Sequence, residues 1–248
     1  MKCDLCPRKC LVDRKKGEKG ICGQTENLKV ARAALHFWEE PCISGDAGSG
    51  AVFFSGCPLH CVFCQNENIA NGTVGKEISL ERLVDIFLEL QEKRANNINL
   101  VTPGHFVPQI VKALDQARKE GLTLPVVYNT SSYETVDTIK MLEGYVDIYL
   151  PDFKYMSPVL SKKYSHAPDY AEVAKAAIAE MVRQTGKAVF VNGDEDNLIL
   201  SGTIVRHLTL PGCMADSMQI LKYLHDTYGD MILSLIHISE PTRPISIS

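Results

Sequence analysis

The chain has 248 residues, 45% hydrophobic and 23% charged, with a formal net charge of −4 at pH 7. That length buries a sizeable core and suits one α/β domain with a small appendage. The mild acidity and the absence of any Lys/Arg block argue against a nucleic-acid partner, and no apolar run is long enough to span a bilayer.

Residues 1–27 are rich in Cys, Lys and Gly, have little apolar periodicity, and read as a small metal-stapled extension. Lys15, Lys16 and Lys19 in it read as a solvated loop. Residues 28–50 carry no clear pattern, and Gly45, Gly48 and Gly50 make a flexible approach to the next segment. The apolar run AVFFS at 51–55 then predicts a buried strand. Next comes a helix capped near Ser79 and running to Ala95, with Leu83, Ile86, Phe87 and Leu90 at helical spacing. Residues 98–101, 124–128, 146–150 and 203–210 predict further strands. Helices are predicted at 108–120, 135–142, 170–185 and 216–228. Strands alternating with helices imply parallel βαβ units, without separating an open sheet from a barrel.

Residues 233–248 read LSLIHISEPTRPISIS. The stretch LSLIHISEPTR is one translation frame of a widely used transposase sequencing adapter. The expectation is a natural chain cut near Ile232, with a foreign tail at 233–248 and at least one terminal element missing. The core domain is then 28–232.

The N-terminus opens on cysteines and charges, not on a secretory pattern, so the reading is a cytoplasmic protein with reduced thiols. Its nine cysteines need another explanation than disulfides, and eight of them precede residue 65, which points to metal. The strongest signal is Cys57-Pro58-Leu59-His60-Cys61-Val62-Phe63-Cys64, directly after the 51–55 strand. A loop at the C-terminal end of a strand is where barrels and doubly wound sheets build sites. Thiolates are soft ligands suited to iron–sulfur clusters, and three of them leave one iron of a four-iron cube without a protein ligand. That iron can chelate an amine and a carboxylate. The alternatives are a zinc site or core cysteines; structural zinc usually takes four protein ligands.

The spacing Cys-x3-Cys-x2-Cys, with Phe63 before the last cysteine, resembles the radical S-adenosylmethionine (SAM) superfamily. FFSGCPLHCVFCQN (53–66), LVTPGH (100–105), NTSSY (129–133), DIYLPDFKY (147–155) and VRHLTLPG (205–212) are similar to glycyl-radical-enzyme activases, specifically to uncharacterised proteins akin to pyruvate formate-lyase activating enzyme. The resemblance spans about 1–212. It implies an α/β fold of the partial (β/α)6 TIM-like barrel type, with a [4Fe-4S] cluster on Cys57, Cys61 and Cys64 and with SAM in the barrel mouth.

It also implies roles for single positions. Phe63 lines the SAM site, and Asp152 and Lys154 match an Asp-x-Lys beside SAM at a strand end. Arg206 matches an arginine that reaches the SAM carboxylate or ribose. An arginine among Ile204, Val205 and Leu208 needs an acidic partner if buried. Where many relatives carry Gly-Gly-Glu for the SAM amine, this chain has Thr102-Pro103-Gly104-His105, so Thr102 and backbone carbonyls are left to serve. Asn129 and Ser131 end a strand where they face SAM, or form a turn. His105 and Cys213 are candidates for a direct catalytic role, each with an ordinary structural alternative.

Cys3, Cys6, Cys10 and Cys22 form a second set that suits zinc or a second iron–sulfur cluster. Cys42 and the acids Glu39 and Glu40 stay unassigned. The resemblance implies reductive SAM cleavage to a 5′-deoxyadenosyl radical, an electron donor of the flavodoxin or ferredoxin kind, and a glycyl radical enzyme as protein substrate. A small molecule, a peptide or tRNA as substrate, or a non-catalytic iron–sulfur or zinc protein, are the alternatives.

Overall fold

A computed structural model describes residues 2–193, 197–229 and 233–237. The first regular strand, β1 (Lys29–His36), runs antiparallel to β2 (Ser49–Phe54), and α1 (Pro41–Ser44) lies between them. After the cysteine loop come α2 (Glu67–Ala70) and a short edge strand, β3 (Lys76–Glu77), antiparallel to β1. The alternating part then runs α3 (Leu80–Glu92), β4 (Ile98–Val101), α4 (Val107–Lys119), β5 (Val126–Thr130), α5 (Val136–Lys140) and β6 (Ile148–Pro151). It continues through α6 (Pro158–Ser165), α7 (Tyr170–Thr185), β7 (Val189–Phe190), β8 (Ile199–Thr203), β9 (Val205–Thr209), α8 (Met214–Tyr228) and β10 (Leu233–His237).

The main sheet has the order β3-β1-β2-β4-β5-β6-β8-β7. Its pairs from β2 through β8 are parallel, so the fold is mixed α/β with a parallel-rich sheet. β9 leaves the line of β8 at Ile204, bridges to the end of β6 through Asp152 and Arg206, and pairs in parallel with β10. The strand expected at 203–210 is β9, whereas β8, directly before it, was not expected. Residues 28–50, which lack a periodic signature, form the antiparallel edge, and α6 was likewise not expected.

Local signals account for the helices. Ser79, Thr135 and Ser157 cap α3, α5 and α6 by accepting backbone N–H groups of Arg82, Thr138 and Leu160. Gly186 ends α7 with φ at 68°.

Side-chain alternation divides the sheet into two faces. Val52, Phe54, Ile98, Leu100, Val126 and Tyr128 point to one face and pack with Leu83, Phe87, Ile110 and Leu114 of α3 and α4. Val127, Ile148 and Leu150 point to the other and pack with Ile43 of α1 and with Phe190, Ile199 and Ile204. The α1 turn therefore plugs the far face with apolar side chains and delivers Glu39, two residues before it, to the polar residues of that face. A third cluster of Tyr133, Phe153, Tyr155 and Tyr170 joins α7 and α8 to the cysteine loop, against which Cys57, Cys61 and Phe63 pack.

β10 falls within residues 233–248, the stretch expected to be foreign. An apolar run brought by α8 to the open edge of β9 pairs readily. Residues 238–248 lie outside the described residues. No helix among the described residues is long and apolar enough to cross a membrane.

Leu100 is fully buried at the centre of the helix-covered face. Leu100→Ala is expected to cost about 2–5 kcal/mol, read as a lowered midpoint in urea denaturation at unchanged slope.

Candidate active site

The loop of Cys57, Cys61 and Cys64 leaves the C-terminal end of β2. Gly56 has φ of 90°, and a Cβ there would overlap the Cys22 carbonyl oxygen, so the turn requires glycine. The loop's sulfurs sit among polar hydrogens. The Leu59 N–H donates to Cys57 Sγ at 3.4 Å, and Ser165 Oγ donates to Cys61 Sγ at 3.0 Å. Backbone N–H groups of His60 and Asn66 favour the charged forms of Cys57 and Cys64. Burial dominates all the same and pushes the Cys57 thiol up to about 12. Such sulfurs become thiolates when a metal supplies compensating charge.

A layer of buried charge lies on the far face of the sheet. Arg206 of β9 donates from Nε to Asp152 Oδ1 at 2.8 Å, from Nη1 to Glu39 Oε1 at 2.8 Å, and from Nη2 to Asn129 Oδ1 at 2.7 Å. Glu39 Oε2 accepts from Asn99 and Asn129 at 3.1 and 2.9 Å. Lys154 Nζ donates to Asp152 Oδ2 at 2.6 Å. Burial would push the Asp152 carboxyl up, but Arg206 and Lys154 outweigh it and hold it below the ordinary carboxylate range. Burial likewise opposes the Lys154 charge, yet Asp152 and the Cys61 sulfur raise its pKa. Lys154 also acts on Cys64, so the charged layer reaches the cysteine loop electrostatically.

Tyr170 ties the strand ends together. Its hydroxyl accepts the Lys154 N–H at 2.9 Å and lies 2.9 Å from both the Ser131 and Asp152 carbonyl oxygens. Three residues other than glycine hold left-handed φ at these ends: His60 at 47°, Thr102 at 55° and Ser132 at 63°. Such conformations cost on the order of 1–3 kcal/mol each and collect where function over-determines the backbone.

The structure thus brings Asn129, Asp152, Lys154 and Arg206 into one hydrogen-bonded group. Thr102 joins through its N–H to the Asn129 carbonyl at 2.9 Å, and Ser131 takes part through its backbone. Phe63 packs edge-on against Tyr155 and Tyr164. His105 is buried away from this layer, with Nε2 2.7 Å from the Ser55 carbonyl oxygen, and burial lowers its pKa to about 4. Cys213 precedes α8, its Sγ 3.6 Å from the Pro211 carbonyl oxygen.

Sequence reasoning missed Glu39 as the second anion on Arg206, and it missed Asn99. The one available signal was the need of a buried arginine for acids.

The profile of the Radical SAM superfamily matches residues 51–197. The chain belongs to the radical SAM superfamily. A radical SAM enzyme uses a [4Fe-4S] cluster and SAM, and the all-thiol loop with its N–H donors fits that cluster. Over 215 residues the chain is 28% identical to the uncharacterized protein MJ0674 of Methanocaldococcus jannaschii, covering 84% of this chain and 57% of the relative. The chain thus spans little more than half the length of that relative. Among solved structures it is similar to HydG, a maturase of the [FeFe]-hydrogenase, with TM-score 0.52, 16% identity, and coverage of 77% of this chain and 42% of that one. It is also similar to methylornithine synthase (PylB), with TM-score 0.50, 14% identity, and coverage of 74% and 50%. At these identities the likeness is one of fold.

The buried charges make stability sensitive to single substitutions. Glu39→Ala leaves the Arg206 guanidinium short of an anion and is expected to destabilise the chain by about 3–5 kcal/mol; Glu39→Gln keeps the shape and an acceptor for Arg206 but turns its NH2 towards the amides of Asn99 and Asn129, so it is expected to cost nearly as much, both read by chemical denaturation.

Glu134 makes stability depend on pH as well. Its carboxylate accepts from Thr130 and Tyr128 at 2.8 and 3.2 Å. Burial raises its pKa from 4.5 to about 7. The folded state then holds a proton that the unfolded state releases, so stability present below pH 4.5 is lost as pH rises through about 7. His105 acts with the opposite sign, losing stability as pH falls from 6.5 towards about 4, and masks the effect in the unsubstituted chain. Glu134→Gln is expected to gain on the order of 3 kcal/mol relative to the unsubstituted chain between about pH 4.5 and 7, measured as denaturation midpoints across pH.

Proposed function

We propose that this radical SAM enzyme generates a 5′-deoxyadenosyl radical and uses it to remove a hydrogen from a glycine backbone position of a partner, in the manner of a glycyl-radical-enzyme activase. We read its parallel strands as the partial (β/α)6 barrel of that group, a reading supported by the turn of the chain from β8 to β9 and the bridge from β9 to the end of β6. When bound, the [4Fe-4S] cluster supplies the electron that splits SAM into methionine and the 5′-deoxyadenosyl radical.

The observation that carries the reading is the position of Lys154. Its ammonium is paired with Asp152 at 2.6 Å, and the residues on either side of it, Phe153 and Tyr155, belong to the aromatic cluster against which Cys57, Cys61 and Phe63 pack. A group of two carboxylates and two cations therefore stands next to the cysteine loop.

Such a group suits a zwitterion. The carboxylate of an amino acid can replace an acid on the Lys154 or Arg206 cation, for which the planar Arg fork is well shaped. Asp152 and Asn129 have acceptor oxygens for ribose hydroxyls or an ammonium. The missing Gly-Gly-Glu glutamate leaves the amine to these residues and to carbonyls near Thr102. Phe63 and the tyrosines behind it exclude water from the loop. Cys57, Cys61 and Cys64 hold the cluster, and a low-potential flavodoxin or ferredoxin reduces it. The activase assignment is supported by the motifs DIYLPDFKY and VRHLTLPG, whose Asp152, Lys154 and Arg206 form the charged group.

The protein reconstituted without oxygen and given dithionite and SAM is expected to release 5′-deoxyadenosine and methionine in equal amounts. Cys57→Ala is expected to abolish both, and Arg206→Lys to weaken apparent SAM affinity by roughly tenfold or more. A reconstituted protein that yields no nucleoside overturns the reading. An electron-spin-resonance doublet on an added glycyl radical enzyme tests the choice of partner.

A further inference from the structure

The tip of the cysteine motif reaches solvent. Val62 is 66% exposed, although Cys61 and Phe63 on either side of it pack on the aromatic cluster. The Val62 N–H donates to the Tyr164 carbonyl at 2.9 Å, and Ser165 Oγ donates to Cys61 Sγ at 3.0 Å. The loop is thus stitched to the C-terminal turn of α6 at two adjacent residues, and one hydrogen bond separates α6 from the Cys61 sulfur.

The helix presents a distinct face. Val159, Lys162 and Lys163 follow the i, i+3, i+4 spacing that puts side chains on one side of a helix. All three are exposed, Val159 at 72%. Lys163 Nζ stands 4.9 Å from the centre of the Tyr164 ring, and that ring meets Phe63 edge-on with centres 6.2 Å apart. Residues 158–166 hold two lysines and no acid.

The N-terminal segment extends this positive character. Its Cys3, Cys6 and Cys10 are half-buried and its Cys22 is buried, while Arg8 turns outward to the neighbouring chain. Arg8 donates to the carbonyls of Pro58 and Ser165 at 2.9 Å each and of His166 at 2.6 Å. One guanidinium therefore bridges the cysteine loop and the end of α6, and Lys9 beside it is exposed. Of the acids that flank the patch in sequence, Asp169 accepts from the Tyr133 hydroxyl at 2.8 Å, and Glu67 lies beyond Cys64 on α2. The chain as a whole carries −4, so the cations gathered here run against its prevailing charge.

We propose that Val62, Val159, Lys162 and Lys163, with Arg8 and Lys9 at the rim, form the docking face for an acidic one-electron carrier protein. The proposal rests on the reading above, in which a protein donor reduces the cluster held by Cys57, Cys61 and Cys64. The carrier loses one electron and the cluster gains it, with no bond made or broken. Exposed lysines around a small apolar centre suit such a contact. Their charge steers and orients an acidic partner, and the small apolar area lets it leave again. The end of α6 and Ser165 then lie between the carrier and Cys61, a short route for the electron.

Transfer in the downhill direction uses the same face and needs no SAM. The full chain, reconstituted without oxygen and photoreduced, is mixed with an oxidised flavodoxin, and the flavin semiquinone absorbance is followed. Lys162→Glu with Lys163→Glu is expected to slow the transfer about tenfold or more at low salt. The two rates are expected to converge near about 1 M salt, where charges are screened beyond about 3 Å. The same charge change on the opposite helix layer, Lys112→Glu with Lys119→Glu of α4, is expected to slow it less than about twofold. Circular dichroism and the extent of photoreduction report that each variant is folded and loaded. Equal rates at low salt overturn the proposal, as does an equal loss in the α4 pair, which marks net charge alone. A slowing that salt does not remove, which marks a changed cluster potential, also overturns it. Should the glutamate pair not fold, Lys162→Gln with Lys163→Gln is judged by the same criteria, with an expected loss of roughly threefold. A chain that passes this test but forms no 5′-deoxyadenosine from SAM counts against the proposed function and leaves the docking face standing.

Discussion

The Arg206 guanidinium is the charge around which the polar face of this protein is arranged. Left unpaired in that position it would be strongly destabilising. Asp152 answers from the end of β6, Glu39 from the linker before α1, and Asn129 from β5. One side chain therefore draws an antiparallel edge, the middle of the parallel sheet and the displaced strand β9 into a common contact. The same contact collects two anions and two cations at the strand ends. The polarity is stable because it is internally paired.

Opposite packing demands hold the rest of the site. The cysteine loop has almost no secondary structure of its own. It is held by the aromatic cluster beneath it, by Ser165 against Cys61, and by Arg8 and the Ile21 carbonyl from the N-terminal segment. His207 fixes β9 by reaching the Phe153 carbonyl oxygen at 2.7 Å and Ser217 at 2.8 Å. That histidine serves the strand that carries Arg206, a structural use that its place in VRHLTLPG does not reveal.

Much of the alternating core was legible because its signals are local. The spacing of Leu83, Phe87 and Leu90 marks a helix, and the apolar run at 51–55 marks a strand. The antiparallel edge was not legible, since β1 is mostly half-buried and lacks a clean alternation. β8 was not legible either, since Ile199–Thr203 contains Ser201 and Gly202 and lacks a clean alternation. Glu39 escaped notice for a related reason. Its partners are 60, 90 and 167 residues away, and nothing in the local text Glu39-Glu40-Pro41 distinguishes it from a solvated acid.

The chain's text alone determined the chemistry available to it: three cysteines at 57, 61 and 64 behind a strand, a second set near the N-terminus, and an Asp-x-Lys and an arginine at later strand ends. Side-chain identity and short spacing settle such matters, because ligand softness and loop geometry are properties of a few adjacent residues. Tertiary structure alone decided which charges meet. Burial makes pairing obligatory, and only the packed sheet shows that Arg206 is shared between Asp152 and Glu39, that His105 is enclosed, and that the N-terminal segment lies against the loop at 57–64 through Arg8 and the Ile21 carbonyl. Electrostatic partners far apart in sequence are chosen by the fold, since the cost of an unpaired charge arises only once water has been excluded.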